Sequence, residues 1–365
     1  MKVLMINSVC GIRSTGRICT DLANSLTSEG NEVKIAYGRE NVPEQYAKYA
    51  VRIGNDTDIK IHGICTRLFD NHGFASEKAT EEFLKWADGY NPDMLWLHNI
   101  HGYYINIEML FDWIKSRPDM QVRWTLHDCW AFTGHCTYFT MAKCDRWKDH
   151  CHDCPQKTGY PASYLFDRSY KNFEIKKKLF TGVENMTIIT PSKWLADLVK
   201  QSFLGEYPVQ VIYNTIDTSV FKPTPSNFRE KYGLEGKKII LGVASIWDER
   251  KGLPDFVKLS SMIDDSYAIV LVGVDQKQAE GLPQNITVIP RTNSVAQLAE
   301  IYTASDVFFN PTYEDNYPTV NLEAVACGTY VITYNTGGSP ESAGEGAGVV
   351  DAGDIDAAFE LIKNH

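Results

Sequence analysis

Short apolar runs alternate with helix-patterned segments along most of the chain, and this alternation restricts the fold more than any other feature of the sequence. Residues 3–6 are apolar, a glycine loop follows, and Ile18, Leu22 and Leu26 then recur at helical spacing. Further strands are predicted at residues 30–36, 93–98, 122–127, 239–243, 268–272, 286–289 and 306–310. Parallel sheets covered by helices produce this order of elements, so the sequence predicts an α/β protein.

The length of 365 residues is expected to give about two domains, each with its own core. The alternation is interrupted near residue 220, where Phe221 and Pro223 lead into a second series of strands. We therefore predict one domain over residues 1–220 and another over residues 221–365.

Composition and charge restrict the location and the class of partner. No run approaches the roughly 20 apolar residues of a membrane span, and residues 1–7 are too short for a signal-peptide core. The net charge of -10 and the pI near 5.4 argue against a nucleic-acid partner, which would require a basic face. The sequence thus predicts a cytoplasmic protein.

The stretch 311–328 concentrates the candidate chemistry of the chain. It follows the predicted strand 306–310 and is expected to enter a helix near Pro318 that ends at Gly328, with Asp315 as its cap and Glu323 inside it. A helix amino terminus at the carboxyl end of a strand attracts anions in open α/β sheets. Two carboxylates beside such a site are suited to holding hydroxyls, such as those of a ribose and a hexose.

This stretch resembles the carboxylate signature of the family 4 retaining glycosyltransferases, in which seven residues separate two acidic ones. Asp315 and Glu323 fit that spacing. The usual first residue is Glu, so Glu314, one place out of register, is the alternative to Asp315. The resemblance implies a GT-B fold, which has two Rossmann-like domains facing across a cleft. The first domain would lie on the acceptor side and the second would bind the nucleotide sugar, and this sequence is expected to lack the family's usual terminal crossover helix.

Other motifs extend the resemblance over nearly the whole chain. Residues 245–252 resemble the loop that binds the donor phosphates, and Lys251 matches the lysine of that loop. The family's arginine, six residues earlier, is replaced here by Ser245, and Arg250 is an alternative source of the charge. His127 matches a histidine that contacts the donor sugar, and we expect Asp128 to orient its ring. The residues that the resemblance assigns to donor binding are Gly16, Arg250, Lys251, Tyr317, Pro318, Thr319 and Glu323.

The resemblance implies transfer of a sugar, with retention, from a nucleoside-diphosphate sugar of UDP or GDP type to a hydroxyl of a surface-polysaccharide acceptor on a lipid. Asp315, His127 and Lys251 would be catalytic, and no catalytic metal is expected. Retaining hydrolysis is disfavoured because its two carboxyls must lie about 5 to 5.5 Å apart across a sugar. Because Ser245 replaces an arginine, an inactive nucleotide-sugar sensor or partner subunit is the alternative.

A cysteine-rich insert interrupts the α/β pattern at residues 129–155. Four cysteines that end in a Cys-x-x-Cys pair suit tetrahedral zinc, so we predict a structural zinc site, with free thiols on a mobile loop as the alternative. A third reading makes this loop the functional centre of a zinc-dependent protein. A subset of capsule and exopolysaccharide glycosyltransferases carries a similar insert. The predicted ligands are Cys136, Cys144, Cys151 and Cys154.

Two further features have alternative interpretations. His98 and His101 follow a predicted strand and are either hydrogen-bonded loop histidines or acceptor contacts. A predicted helix over residues 168–180 carries lysines beside Phe173 and Phe180, and a basic helix of this kind can contact the inner face of a membrane peripherally. Solvated charge around a buried stripe is the more common explanation for such a helix. Its basic residues are Arg168, Lys171, Lys176, Lys177 and Lys178.

Overall fold

The computed structural model describes residues 1–365, and they form two compact units, Met1–Tyr213 and Asn214–His365. The division falls a few residues before the position near 220 that the sequence suggests. Each unit is built on one parallel sheet, so the predicted α/β class is confirmed.

The first unit contains a seven-stranded parallel sheet with the order β3-β2-β1-β4-β5-β6-β7. Its strands are β1 (Lys2–Asn7), β2 (Glu32–Tyr37), β3 (Ala50–Arg52), β4 (Met94–Leu97), β5 (Gln121–Thr125), β6 (Met186–Thr190) and β7 (Val209–Val211). Its helices are α1 (Arg13–Ser28), α2 (Asp56–Phe69), α3 (Glu77–Tyr90), α4 (Ile107–Lys115), α5 (Ser169–Phe180) and α6 (Lys193–Gln201). The strand order reverses between β1 and β4, which pair in register from Val3 opposite Met94.

The second unit contains a six-stranded parallel sheet with the order β10-β9-β8-β11-β12-β13. Its strands are β8 (Lys238–Val243), β9 (Tyr267–Val272), β10 (Ile286–Ile289), β11 (Val307–Asn310), β12 (Tyr330–Tyr334) and β13 (Gly348–Val350). Its helices are α7 (Phe228–Tyr232), α8 (Leu253–Ser260), α9 (Gln276–Ala279), α10 (Val295–Ala304), α11 (Thr319–Ala326), α12 (Ser339–Ala343) and α13 (Ile355–Asn364). Here the order reverses between β8 and β11.

Successive residues of each central strand enter opposite cores. In β8, Ile239 and Leu241 belong to the apolar cluster on one face of the sheet, whereas Ile240 belongs to the cluster on the other face. All three side chains are fully buried. A strand that is covered on both faces reads as a continuous apolar run, which explains why the central strands could be recognised in the sequence.

The two reversal points position the candidate site residues. In open parallel sheets, ligands bind beyond the carboxyl ends of the strands at the point where the strand order reverses. The loop 244–252 leaves β8 at this point and the loop 311–318 leaves β11 beside it. None of the helices is long and apolar enough to cross a bilayer.

Candidate functional site

The two loops at the reversal point of the second sheet are tied to each other. The Tyr313 N–H donates to the Arg250 carbonyl oxygen at 2.8 Å. In return, the Arg250 guanidinium donates through Nη1 to the Glu314 carbonyl oxygen, also at 2.8 Å. The predicted phosphate loop and the predicted carboxylate loop therefore form one continuous rim beyond the sheet.

Lys251 and Asp315 form an ion pair across this rim. Both side chains are largely buried, at 19% and 17% exposure, so the pair is shielded from water better than an ordinary surface ion pair. Asp248 holds the lysine's backbone by accepting the Lys251 N–H at 2.9 Å. The structure thus brings together one lysine and one carboxylate that lie 64 positions apart in the sequence.

Asp315 does not cap the helix that follows it, so that prediction is wrong. Helix α11 begins at Thr319, and Pro318 occupies the cap position without a side-chain hydrogen bond. Asp315 instead accepts the N–H of Asn316 at 2.9 Å, three residues before the helix starts. Pro318 has an extended backbone conformation, with ψ of 118°, so the helix cannot begin before it. The first N–H groups of α11 consequently lack a side-chain cap.

Glu323 lies inside α11 and is almost completely buried. Its Oε2 accepts a hydrogen bond at 3.1 Å from the hydroxyl of Tyr302, which α10 supplies. A buried carboxylate requires such partners, because removing it from water without them costs several kcal/mol. Tyr302 therefore holds the Glu323 side chain in one orientation, and sequence spacing does not reveal this residue.

A buried network of amides and hydroxyls fixes α11 against its neighbours. Asn310, the last residue of β11, donates to Asn321 Oδ1 at 2.8 Å. Asn321 in turn donates to the Ser339 carbonyl oxygen at 3.1 Å and to Ser342 Oγ at 2.9 Å. These contacts anchor α11 to β11 and α12. Asn321 lies within the stretch 311–328, two positions before Glu323, whereas its partners Asn310, Ser339 and Ser342 lie outside that stretch.

Gly16 in the first unit packs the β1–α1 loop onto its helix. Helix α1 begins at Arg13, so Gly16 lies inside the first turn and not at the start as predicted. A Cβ atom at this position would lie 3.1 Å from Val9 Cγ2 and 3.2 Å from Gly11 N. The Gly11 N–H also donates to the Gly16 carbonyl oxygen at 3.1 Å. The missing side chain thus permits a close approach of the loop backbone.

His98 and His127 form a stacked pair beyond β4 and β5. His98 Nδ1 lies 3.0 Å from His127 Nε2, and the ring centroids are 5.3 Å apart. Burial lowers the pKa of His127 to about 4 and holds the pKa of His98 well below its ordinary value. Both rings are therefore neutral near pH 7, and His98 is only 2% exposed, which favours a structural role for it.

Asp128 pairs with His101 rather than with His127. Its Oδ2 lies 3.0 Å from His101 Nε2, and its Oδ1 accepts the Trp130 N–H at 2.9 Å. Burial raises the pKa of Asp128, but His101, the Trp130 N–H and His127 together outweigh burial and lower it. The prediction that this carboxylate orients His127 is corrected, because the chain turns at Asp128 and directs the carboxylate to the preceding strand's loop.

Buried histidines and aromatic rings surround His101. His72 lies 5.5 Å from Trp130 and 4.9 Å from Tyr103, measured between ring centroids. Its Nε2 accepts the Gly102 N–H at 3.3 Å, and burial holds its pKa well below the ordinary value. Sequence reasoning missed His72, because it comes from the α2–α3 connection and carries no motif of its own.

The four cysteines predicted to bind zinc lie around one small cavity with His135 and Trp147, whereas Cys129, the fifth cysteine of the insert, does not line it. The Cys136 thiol hydrogen-bonds Cys154, which lowers the pKa of Cys154 to about 7, and Cys151 Sγ accepts the Gly134 N–H at 3.2 Å. No group of three or more His, Cys, Asp or Glu side chains is placed to hold a metal ion. The structure therefore does not support the predicted zinc site: Cys136 and Cys154 hydrogen-bond to each other, and Cys151 hydrogen-bonds to the backbone.

Helix α5 buries several of the side chains that were expected to face a membrane. Phe173 and Phe180 are in the core, and Lys176 is only 1% exposed. The Lys176 ammonium donates to the carbonyl oxygens of Trp130 at 2.8 Å and Thr133 at 3.0 Å. It also lies 3.5 Å from the centroid of the Trp130 ring. Phe173, Phe180 and Lys176 are therefore not available to grip a membrane, and the helix instead has a buried stripe flanked by the exposed Lys171, Lys177 and Lys178, as the other interpretation expects.

Two parallel α/β units, each with loops gathered at its reversal point, define the architecture of the GT-B glycosyltransferases. Sucrose-phosphate synthase from Thermosynechococcus elongatus has a TM-score of 0.71 at 16% identity, covering 100% of this chain and 89% of that one. The Anabaena protein Alr3699/HepE, solved in complex with UDP, has a TM-score of 0.68 at 14% identity, with the same coverage. These similarities confirm the predicted fold.

Sequence comparisons also point to glycosyltransferases. The model of the glycosyl transferases group 1 matches residues 226–364, which make up most of the second unit. Over 359 residues the chain is 23% identical to the glycosyl transferase WcaC of Escherichia coli (strain K12), which is assigned to colanic acid biosynthesis. That match covers 93% of this chain and 85% of WcaC. The processive diacylglycerol alpha-glucosyltransferase of Acholeplasma laidlawii is 26% identical over 157 residues, 40% of this chain and 47% of that protein.

Proposed function

We propose that the protein transfers a sugar, with retention and without a metal, from a nucleoside-diphosphate sugar to a hydroxyl of a growing surface polysaccharide. The observation that carries the proposal is the partly buried ion pair between Lys251 and Asp315 beside the start of α11, which has no side-chain cap. A lysine, a carboxylate and the N–H groups of the first helical turn offer partners for a diphosphate and for sugar hydroxyls in one place. The Anabaena protein was solved in complex with UDP and with UDP-glucose, which favours a UDP donor over a GDP donor.

The ion pair suggests how the donor engages the site. Without a donor, Asp315 neutralises Lys251 in a poorly solvated place where an unpaired charge would be costly. We propose that the diphosphate replaces Asp315 as the partner of the Lys251 ammonium, and that a hydroxyl of the transferred sugar then donates a hydrogen bond to Asp315. Lys251 and Asp315 each keep a polar partner throughout, so the exchange leaves neither charge unpaired in this poorly solvated place.

The chemical step requires stabilisation of the negative charge that grows on the leaving diphosphate. Lys251, the Arg250 guanidinium and the first N–H groups of α11 would supply it. Groups that are already oriented when the charge develops are the most effective, and removal of one typically costs a few kcal/mol in the transition state. Arg250 is oriented by its bond to the Glu314 carbonyl oxygen, and α11 by the network around Asn321.

Glu323 is proposed to accept hydrogen bonds from the hydroxyls of the donor ribose. Its burial and the Tyr302 hydrogen bond restrict it to one orientation, as such recognition requires. The backbone N–H groups near Tyr317 and Thr319 would bind the transferred sugar. By the family resemblance, Gly16 is also proposed to bind the donor. His127 is proposed to contact the donor sugar, and its neutral ring suits a contact with sugar hydroxyls.

The first unit is proposed to bind the acceptor, which we infer to be a lipid-linked saccharide at the inner face of the membrane. Two relatives support a saccharide or glycolipid product, because WcaC is assigned to colanic acid biosynthesis and the Acholeplasma enzyme is named for glucosylation of a diacylglycerol.

The test combines donor binding with turnover. Thermal shift against a panel of UDP and GDP sugars would identify the donor, and release of the nucleoside diphosphate with a saccharide acceptor would give the rate. Lys251→Ala and Glu323→Ala should each reduce turnover at least tenfold, whereas the control Lys258→Ala, on the exposed face of α8, should not. Wild-type rates in the first two variants would refute the site.

The replacement of an arginine by Ser245 keeps a second function under consideration, that of a nucleotide-sugar sensor. A donor that shifts the melting temperature but is never consumed with any acceptor would support the sensor over the enzyme. An anomeric product inverted relative to the donor would instead refute retention alone.

A further inference from the structure

Two arginines and two tyrosines of the first unit gather beyond the carboxyl ends of its strands, near the point where the strand order reverses. We name this group the Arg–Tyr surface; it consists of Arg13, Arg39, Tyr103 and Tyr160. Arg39 follows β2, Arg13 begins α1 after β1, and Tyr103 lies in the connection after β4. Tyr160 comes from the loop that follows the cysteine-rich insert. Ligands of open parallel sheets bind at this edge.

Arg39 is the arginine of this surface that has no acidic partner. Its side chain is half-buried, and its guanidinium lies 5.8 Å from the centroid of the Tyr103 ring. It forms no ion pair and no side-chain hydrogen bond within the chain. Its backbone is fixed, because the Arg39 N–H donates to the Ser8 carbonyl oxygen at 2.9 Å. A partly desolvated guanidinium whose N–H groups lack an acceptor is suited to binding an anion.

Positive charge surrounds both tyrosines, although the chain has a net charge of -10. Burial raises the pKa of Tyr160, and Arg39 and Arg13 oppose that change. Burial also raises the pKa of Tyr103, and here Arg67 and Arg39 oppose it. Arg39 is therefore close to both phenol groups, with a further arginine on either side of it.

The carboxylates near this surface already have partners. Glu40 lies 2.5 Å from the Arg13 guanidinium, and the side chain of Arg13 is 60% exposed. Asp128 is paired with His101 and is largely buried. Neither carboxylate forms an ion pair with Arg39, so the guanidinium of Arg39 keeps its charge for a ligand.

Tyr160 is held in place by a buried relay of polar groups. Asp128 Oδ2 lies 3.0 Å from His101 Nε2, and because a carboxylate only accepts, that nitrogen carries the proton. His101 Nδ1 is then the acceptor for the Tyr160 hydroxyl, at 3.5 Å. The Tyr160 residue remains 48% exposed, and its ring centroid lies 6.2 Å from that of Tyr103. An oriented, exposed aromatic ring offers an apolar surface to the apolar face of a sugar.

We propose that the Arg–Tyr surface binds an acidic group of the acceptor, a carboxylate or a phosphate carried by a saccharide. The Arg39 guanidinium donates paired hydrogen bonds to two oxygens of the acid, and the Tyr160 ring packs against the adjoining sugar. A neutral saccharide offers no charged partner to this half-buried guanidinium, so the surface favours an acidic acceptor. The inference rests on the proposed transfer to a saccharide and adds the chemical class of that saccharide.

The first experiment measures probe binding by isothermal titration calorimetry in the absence of a donor. The probes are methyl glucuronide, glucose 6-phosphate, the neutral methyl glucoside and inorganic phosphate. We expect at least one of the two acidic sugars to bind at least about tenfold more tightly than methyl glucoside, because charged hydrogen bonds are the stronger ones. The sugar that binds identifies the acid as a carboxylate or a phosphate.

Substitutions of Arg39 test the charge. Arg39→Gln should weaken binding of the acidic sugar at least about tenfold, and Arg39→Lys, which keeps the charge but loses the paired geometry, should have an intermediate effect. The matched control is Arg123→Gln, because Arg123 is also half-buried and lies 4.9 Å from the centroid of the Trp96 ring. This control should bind like the wild type. Unchanged melting temperatures would show that each variant is folded.

Substitution of Tyr160 tests the contact with the sugar. Tyr160→Leu should weaken binding of the acidic sugar severalfold and leave binding of inorganic phosphate unchanged. Tyr170→Leu, at a tyrosine that is 61% exposed on α5, is the control and should have no effect on either probe.

Lys251→Ala separates this inference from the proposed donor site. It should abolish most turnover and leave binding of the acidic sugar unchanged. If turnover persists in Lys251→Ala while binding of the acidic sugar still depends on Arg39, the donor site is refuted and this inference stands. If binding of the acidic sugar is lost in Lys251→Ala, the probe occupies the donor site and this inference is overturned.

Three other results would also overturn the proposal. One is that neither acidic sugar binds more tightly than methyl glucoside. Another is that Arg39→Gln binds the acidic sugar as the wild type does. The third is that inorganic phosphate binds as tightly as glucose 6-phosphate, which would assign the surface to a free anion instead of a saccharide.

Discussion

Lys176 gives the most quantitative prediction, because a completely buried lysine must change how stability depends on pH. Burial lowers its pKa from 10.5 to about 7, although Cys151, Cys136, Asp70 and Asp128 partly oppose the change. In the unfolded chain the lysine keeps its ordinary pKa. Between these two values the unfolded state binds more protons than the folded state, so the free energy of unfolding should rise as the pH rises. Below about pH 7 both states are protonated and the contribution no longer changes.

The expected magnitude follows from this difference in bound protons. The full slope for one proton is about 1.4 kcal/mol per pH unit, and it is approached only above pH 8, so the contribution between pH 7 and pH 9 is about 2 kcal/mol. Lys176→Met retains the length of the side chain but removes the titration. It also removes the hydrogen bonds to Trp130 and Thr133, which lowers stability by a roughly constant amount at every pH.

The assay is urea unfolding at pH 7, 8 and 9, followed by tryptophan fluorescence. Seven of the eight tryptophans belong to the first unit, so the signal reports mainly the unit that contains Lys176. The advantage in unfolding free energy of the wild type over Lys176→Met should grow by about 2 kcal/mol from pH 7 to pH 9. Lys177→Met, a change at the exposed neighbour, should show no such trend. A constant difference between wild type and Lys176→Met would refute the reasoning.

Three further predictions concern the candidate site. Asp315→Ala should reduce turnover more than Glu314→Ala, because only the Asp315 carboxylate faces Lys251; the reverse order in a nucleotide-release assay would move the signature by one residue. Tyr302→Phe removes one hydrogen bond that orients Glu323, so it should raise the KM for the donor severalfold with little change in kcat. Steady-state kinetics that show a lower kcat and an unchanged KM would contradict this role. Excess EDTA should leave turnover unchanged, and activity restored only by added Mg²⁺ would refute the metal-independent mechanism.

The fold could be predicted from the sequence because its signal is local. Strands buried on both faces, such as β8 and β9, are continuous apolar runs, and the glycines between strands and helices mark the connections. The paired loops of the second unit could also be located, since each follows directly on such a strand. The partner of each loop residue could not, because the bond of Arg250 to the Glu314 carbonyl oxygen joins segments that only the sheet brings together.

Helices α2 and α5 show why surface and core were harder to distinguish. Helical spacing identifies which side chains share a face, but the face that meets the core depends on polar partners elsewhere in the chain. Lys176 can be buried because its ammonium donates hydrogen bonds to the carbonyl oxygens of Trp130 and Thr133, more than forty residues earlier in the chain. His62 is buried because its Nε2 accepts the Gly73 N–H at 3.0 Å, which leaves the proton on Nδ1 to be donated to Ser76 Oγ at 2.8 Å. With the polar face of α2 satisfied in this way, Ile61 and Ile64 are left exposed, whereas Phe173 and Phe180 of the basic helix α5 belong to the core.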